Sequence, residues 1–311
     1  MRVQSPYVSF QFIRHDLLCN NFEKAFAELK TWKPVPPEIL VKDFVCLVSR
    51  FAPDRLPETF EAYKDFWINK RSFAVDIFQK MKRKGDTSGH IALFKLMKQA
   101  GIKCTIESFE ALLEVAIMSK RDEMVKSVIY TAKVEECKFS STFYGLIIFY
   151  YATHNRKLAW KYFLQADAES TLVEARILNT LFHEEKDAAV LAEYSPKISD
   201  FAVKHRLKFE DALLKSYAET LIRQGYYDAA VMWMRMLIYN TTQTRINRVI
   251  WSSLLQQLMK DKRWEHVHKV VLMVPTNLRF LIDQALPGLL RALTEKRDYP
   301  KVTEHLNQMI A

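Results

Sequence analysis

Apolar residues return every three or four positions along most of this chain, the period of a helix that buries one face. Short polar breaks cut the pattern into lengths suited to ordinary helices. Ser72-Phe73-Ala74-Val75-Asp76-Ile77-Phe78 opens one helix. A turn at Gly85-Asp86-Thr87-Ser88-Gly89 follows, where Asp86 or Ser88 is placed to cap the next helix. That helix runs to Leu93-Phe94-Lys95-Leu96-Met97-Lys98-Gln99-Ala100, and Gly101-Ile102-Lys103-Cys104-Thr105 closes the unit. The predicted elements are therefore helix–turn–helix units placed end to end.

The units also share a phrase, an aromatic residue followed three positions later by a small one. It appears as Phe22 with Ala25, Tyr227 with Ala230, Trp264 with Val267, and Tyr299 with Val302. Tyr227 to Trp264 is 37 residues and Trp264 to Tyr299 is 35. Such a pair lets a large ring fill the space after a turn while the small residue admits close helix approach. A single hairpin cannot bury its apolar stripe alone, so units of this period come as arrays. Pro34, Pro36, Pro37 and Ser195-Pro196 are read as joints between helices, because proline ends helices.

The stretch Leu93 to Thr105 resembles the closing phrase of a pentatricopeptide repeat, LFxxMxxxGIxPD, with Cys104-Thr105 where Pro-Asp is usual. Glu107-Ser108-Phe109-Glu110-Ala111-Leu112-Leu113 is similar to the family's opening phrase. A further opening, Thr142-Phe143-Tyr144-Gly145-Leu146-Ile147, follows 35 residues behind. The phrase of Gly225 to Ala230 also suits the 34-residue tetratricopeptide type, which binds protein. The pentatricopeptide resemblance implies an all-α fold, a right-handed α-solenoid of roughly 35-residue helix–turn–helix repeats. The expectation is one superhelix over 1–311, best matched over about 70–175 and looser over 1–69 and 176–311.

Composition agrees with helix. Six glycines are too few for a fold of many tight turns or for phosphate-cradling loops, and 49% hydrophobic residues suffice for a large core. Charge adds a partner class. The formal net charge is +10, and the excess is blocked: ten Lys or Arg against three acids over 64–104, and twelve against six over 235–311. Two basic blocks suit a polyanion, most often nucleic acid or a ribonucleoprotein. Cys19, Cys46, Cys104 and Cys137 have no CxxC spacing and lie in or beside apolar stretches, so reduced core thiols are expected. The longest apolar run, Phe143 to Ala152, is ten residues, too short to cross a membrane. Met1 to Ser9 does not resemble a signal or targeting peptide, so an organellar location implies a presequence outside this sequence.

The resemblance further implies RNA binding in a mitochondrial or plastid setting, along a groove lined by the first helices. Two positions per repeat face one base, and here they fall on Ala74 with Thr105, Glu110 with Ser140, and Gly145. Base edges are read by short polar side chains. Ala74 and Gly145 carry none, and Glu110 brings negative charge, so base-by-base recognition is not expected. What remains is electrostatic: Lys80, Lys82, Arg83 and Lys84 at a turn, and Lys95, Lys98 and Lys103 beyond it, hold phosphates without specifying sequence. Phe143, Tyr144, Phe149, Tyr150 and Tyr151 are placed as helix core.

No catalytic constellation is present. His266 and His268 point to different faces, and His183-Glu184-Glu185 lacks a second His for zinc. Glu135-Glu136 and Glu184-Glu185 read as solvated surface, and Asn240-Thr241-Thr242 is a glycosylation sequon by letter only. The sequence thus predicts a non-enzyme with no cofactor, metal, small-molecule substrate or membrane contact. The resemblance places it in the mitochondrial matrix. Its partners would be RNA (rRNA or mRNA) and the protein subunits of a ribonucleoprotein, with a free-standing RNA-binding factor and a tetratricopeptide-like scaffold as alternatives.

Overall fold

The computed structural model describes residues 6–31, 36–69, 71–240, 244–273, 280–295, 300 and 303. The described residues are all-α, with eighteen α-helices and one 3₁₀ turn and no strand. Helices pair as expected. α6 (Arg71–Arg83) is followed by α7 (Thr87–Gln99), α8 (Ile106–Met118) by α9 (Asp122–Val134), and α10 (Ser141–His154) by α11 (Arg156–Ala168). The pairing continues with α12 (Ala175–Glu184) and α13 (Ala188–His205), α14 (Asp211–Arg223) and α15 (Tyr227–Asn240), and α16 (Thr244–Lys260) and α17 (Trp264–Met273). α18 (Phe280–Glu295) opens one more pair. First helices from α6 onward begin 33 to 36 residues apart.

The chain divides into two compact units, Met1–Ile147 and Ile148–Ala311. In the first unit, α1 (Pro6–Leu18) and α2 (Phe22–Lys30) form a hairpin, and α1 packs on α3 (Glu38–Phe51). Pro37 precedes α3, where its fixed φ and missing N–H are tolerated. The partner of α3 is broken into a 3₁₀ turn at Pro53–Arg55, α4 (Leu56–Ala62) and α5 (Lys64–Asn69). α3 then packs on α6, and α6 on α8. In the second unit α14 packs on α16, α15 on α17, and α16 and α17 on α18. The aromatic-and-small phrase has the role its spacing predicts: Ala25, Ala230 and Val267 are fully buried. Trp264 presses its ring on α18, where a Cβ at Gly288 would lie 2.5 Å from it. Tyr299 and Val302 fall outside the described residues, as do Pro34, Thr241 and Thr242.

One turn geometry recurs. At Asn20, Gly85, Gly101, Lys120, Glu136, Ser170, Arg206, Gly225 and Lys262 the backbone is left-handed, with φ between 51° and 83°. After each, the next N–H returns to a carbonyl five residues back at 2.8–3.0 Å, as Ile102 does to Met97 and Cys137 to Ala132. These are Schellman closures, which satisfy carbonyls the helix leaves open and reverse the chain in a fixed direction. Asp86 does cap α7, accepting from the Gly89 amide at 2.9 Å.

Several expectations are corrected by packing. Ser195-Pro196 is no joint, because Pro196 lies inside the 18-residue α13. Ser195 is fully buried there. Its hydroxyl donates to the Leu191 carbonyl and accepts from the Trp233 indole at 2.7 Å, which anchors the helix across the proline. Glu185 is not solvated surface either. It is buried and accepts from the Trp160 indole at 3.0 Å and from the Asp187 amide at 3.0 Å. Glu135 accepts from the Cys104 amide at 3.3 Å and pairs with Lys98. Cys46 and Cys104 are core thiols, pushed up by burial to about 11 and about 12, whereas Cys19 is exposed beside His15. Phe143, Tyr144, Tyr150 and Tyr151 are core, and Phe149 is exposed.

His90 gives the first unit a pH dependence. It is fully buried, stacked on Phe78 at 5.5 Å, and its Nδ1 lies 2.7 Å from the Asp86 carbonyl. Burial holds the imidazole below its ordinary value of 6.5, so folding favours the neutral ring. Its contribution is complete above pH 6.5 and is lost as pH falls towards the depressed folded value. Urea unfolding between pH 7.5 and 5 should show midpoints falling with pH, and His90→Gln should remove part of that slope.

Candidate nucleic-acid interface

The basic turn and the helix beyond it lie in the first unit, and the fold divides their cations into two groups. Lys80, at the end of α6, reaches across to Asp43 of α3 at 2.7 Å. Lys82 pairs with Glu114 of α8, and Lys98 with Glu135 after α9. Each of these pairs joins one hairpin to its neighbour. The same logic is more buried at Lys42, held by Asp76 at 2.5 Å and Glu38 at 2.5 Å. Burial alone would lower the Lys42 ammonium, but the hydrogen bonds it donates to Asp76 and Glu38, with their negative charge, outweigh it and raise it. The second group is Arg83, Lys84, Lys95 and Lys103. All four are exposed, and none has an ion pair among the described residues.

The positions assigned to base reading are placed differently from one another. Ala74 and Gly145 are buried. Thr105 precedes α8, half-buried, with its hydroxyl 3.4 Å from Ser108. Glu110 and Ser140 do come together: the Ser140 hydroxyl donates to the Glu110 carboxylate and also accepts from the Phe143 amide at 3.0 Å, capping α10. Burial raises Glu110 above the usual carboxylate range, with Glu107 and Glu114 adding repulsion against the Ser140 hydrogen bond. These three acids lie three and four residues apart on α8, so one stripe of that helix is acidic.

A cleft of about 360 Å³ joins part of this constellation. Ala74, Lys103, Thr105 and Ser108 line it, and Trp67 and Ile68 of α5 form another wall. Ile68 is 57% exposed. Trp67 is buried, and its indole nitrogen has no partner among the described residues. No sequence signal marks these two, because α5 lies outside the repeat phrase. Its placement follows from the break in the helix partnering α3. The cleft can admit a flat or apolar group beside a single cation, with few polar groups to tell one base from another.

No protein-family model matches the chain, and no curated protein matches it in sequence. Among solved structures it is similar to the crystal structure of the pentatricopeptide repeat protein PPR10 from maize. That match has 14% identity and a TM-score of 0.40, and covers 96% of this chain and 48% of that one. The structure of PPR10 in complex with an 18-nt psaJ RNA element matches at 12% identity and a TM-score of 0.34, over 94% of this chain and 53% of that one. The chain thus spans about half the length of the solved proteins it matches.

Removing the negative charge at Glu110 should favour a polyanion. Glu110→Gln is expected to tighten binding of a single-stranded RNA several-fold at low salt, with the gain shrinking as salt screens it. Fluorescence anisotropy at two salt concentrations measures both.

Proposed function

We propose that this chain is a non-catalytic helical-repeat protein of a mitochondrial ribonucleoprotein, a structural or assembly component of the mitochondrial ribosome or of an RNA-processing complex. The observation that carries this reading is how the polar groups of the first unit are used. Of the positions that would read bases, Ala74 and Gly145 are buried, Glu110 and Ser140 are bonded to each other, and Thr105 alone is half-open, beside Ser108. Lys80, Lys82 and Lys98 are committed to neighbouring hairpins. Arg83, Lys84, Lys95 and Lys103 remain exposed, and such cations contact phosphates without selecting a sequence.

A protein of this kind holds RNA in place, while partner proteins supply the specificity of its location. Exposed apolar side chains on helix faces, among them Tyr130 at 69% and Val134 at 62% on α9, suit a chain that also meets protein. The mitochondrial setting rests on the resemblance of the closing phrase at Leu93–Thr105 and on the basic composition. A second reading, a free-standing organellar RNA-binding factor, is favoured by the cleft beside Thr105 and Lys103.

Purification of the tagged chain from its native cells, with and without RNase, separates the two. Ribosomal or processing-complex proteins that stay bound after RNase are the expected result. Their complete loss, with a discrete transcript footprint beforehand, would establish the free-standing factor instead.

A further inference from the structure

The tips of the hairpins in the second unit carry a cluster that the repeat resemblance does not describe. The α14–α15 turn presents Arg223, Gly225 and Tyr226, and the α16–α17 turn presents Lys260, Lys262 and Arg263. The two turns belong to neighbouring hairpins, since α14 packs on α16 and α15 on α17. Packed helices lie about 8–10 Å apart, so the two tips form one continuous edge.

Four cations face solvent on that edge, all of them exposed. Arg223 is steadied by its own helix, through the Glu219 carbonyl at 3.4 Å and the Thr220 hydroxyl at 3.5 Å. Arg263 lies over the Tyr227 ring at 4.5 Å, which sets its guanidinium plane without neutralising it. Lys260 and Lys262 have no ion pair among the described residues. The acids nearby are largely occupied. Asp228 is held by Lys269 at 2.5 Å and by His266 at 3.5 Å, and Glu219 faces Lys215 at 3.6 Å and Ser253 at 3.5 Å. Asp261 is the one exposed acid between the lysines. Tyr226 is 38% exposed, a ring standing open beside the cations.

Lys262 occupies a left-handed turn position with φ 55°, where glycine would fit without strain. The corresponding residue of the preceding hairpin tip is Gly225, at φ 83°. The less favourable residue at the second tip puts an ammonium group at its apex.

We infer that this edge is an RNA-contact surface separate from the first-helix groove, binding the phosphates of an RNA strand through Arg223, Lys260, Lys262 and Arg263 while a base stacks on Tyr226. It rests on the RNA-contact reading above for the class of its ligand. RNA fits the edge better than an acidic protein does. Three cations crowd one tip, and the neighbouring tip adds Arg223 and the exposed Tyr226 ring, which is the pattern of phosphate contact plus stacking. Among the described residues of the two turns, 223–226 and 260–263, there is no aliphatic side chain to bury against a protein.

The test uses the full chain, a labelled 20-nucleotide oligo(U) and a labelled 20-base-pair RNA duplex, with anisotropy read over a range of salt. Lys262→Gly is the first variant, because it should raise Tm by relieving the left-handed residue and yet weaken RNA binding. The double variant K262E/R263E should lose about tenfold in affinity for both probes and flatten the salt dependence by about two units of slope. Tyr226→Ala should weaken oligo(U) about tenfold and leave the duplex unchanged. Lys208→Glu, an exposed lysine of the same unit off this edge, should have a much smaller effect. The inference is overturned if K262E/R263E binds as the wild type does, or if K208E loses as much. Should the wild-type chain bind neither probe, the RNA-contact reading fails and this one falls with it.

Discussion

A two-helix hairpin of about 30 residues has more apolar surface than its own two faces can cover, and every other feature of this chain follows from that shortage. The second apolar face must go against the next hairpin, so the hairpins must be delivered at a fixed distance and in a fixed direction. The left-handed closing turns do this. Each ends a helix with a bond back to a buried residue, as Ile102 does to Met97 and Tyr226 to Leu221, so reversal of the chain and burial of the face occur together. Trp264 against Gly288 shows how tightly a ring placed after such a turn meets the following helix.

Stacking also decides what the charges can do. Side chains about one repeat apart come within reach of each other, and the pairs Lys42–Asp76, Lys80–Asp43, Lys98–Glu135 and Lys269–Asp228 all connect neighbouring hairpins. Most of these pairs are half-exposed, and each contributes at most about 1 kcal/mol. Their larger effect is on function. A lysine bound to a carboxylate of the next hairpin is a poor phosphate ligand, so the count of 46 Lys and Arg overstates the cations available. Those that remain, Arg83, Lys84, Lys95 and Lys103 among them, are exposed, and in the proposed function they would meet a phosphate backbone and not base edges.

Much of this was legible in the sequence. The phrase of ring and small residue placed three hairpins, one of them with its turn marked by Gly225, and Gly85 and Gly101 marked two turns elsewhere because glycine favours positive φ. The same turn at Lys120, Glu136, Ser170, Arg206 and Lys262 could not be read, since those residues have no preference for that conformation and hold it only because the packed helices on both sides require it. Pro196 misled for the opposite reason: a local helix-breaking signal was overridden by tertiary anchoring through Ser195 and Trp233. Ser140 was read only as a base-facing position, and its role as the cap of α10 came from the structure. The hairpin-to-hairpin ion pairs were invisible, because spacing along the chain tells which residues are charged but not which helix faces meet. Trp67 and Ile68 were missed with them, since α5 departs from the repeat.

On the proposed reading, a chain with most of its base-facing positions buried or bonded to each other, and its free cations exposed, grips an RNA backbone without reading its sequence. Whether it does so is decided by its affinity for oligo(U), oligo(A), oligo(C) and a mixed-sequence RNA of equal length, measured on the full chain across a range of salt. Affinities within a few-fold of one another are expected, all falling steeply and in parallel as salt rises. A preference of about a hundredfold or more for one sequence, persisting at high salt, would contradict backbone-only binding.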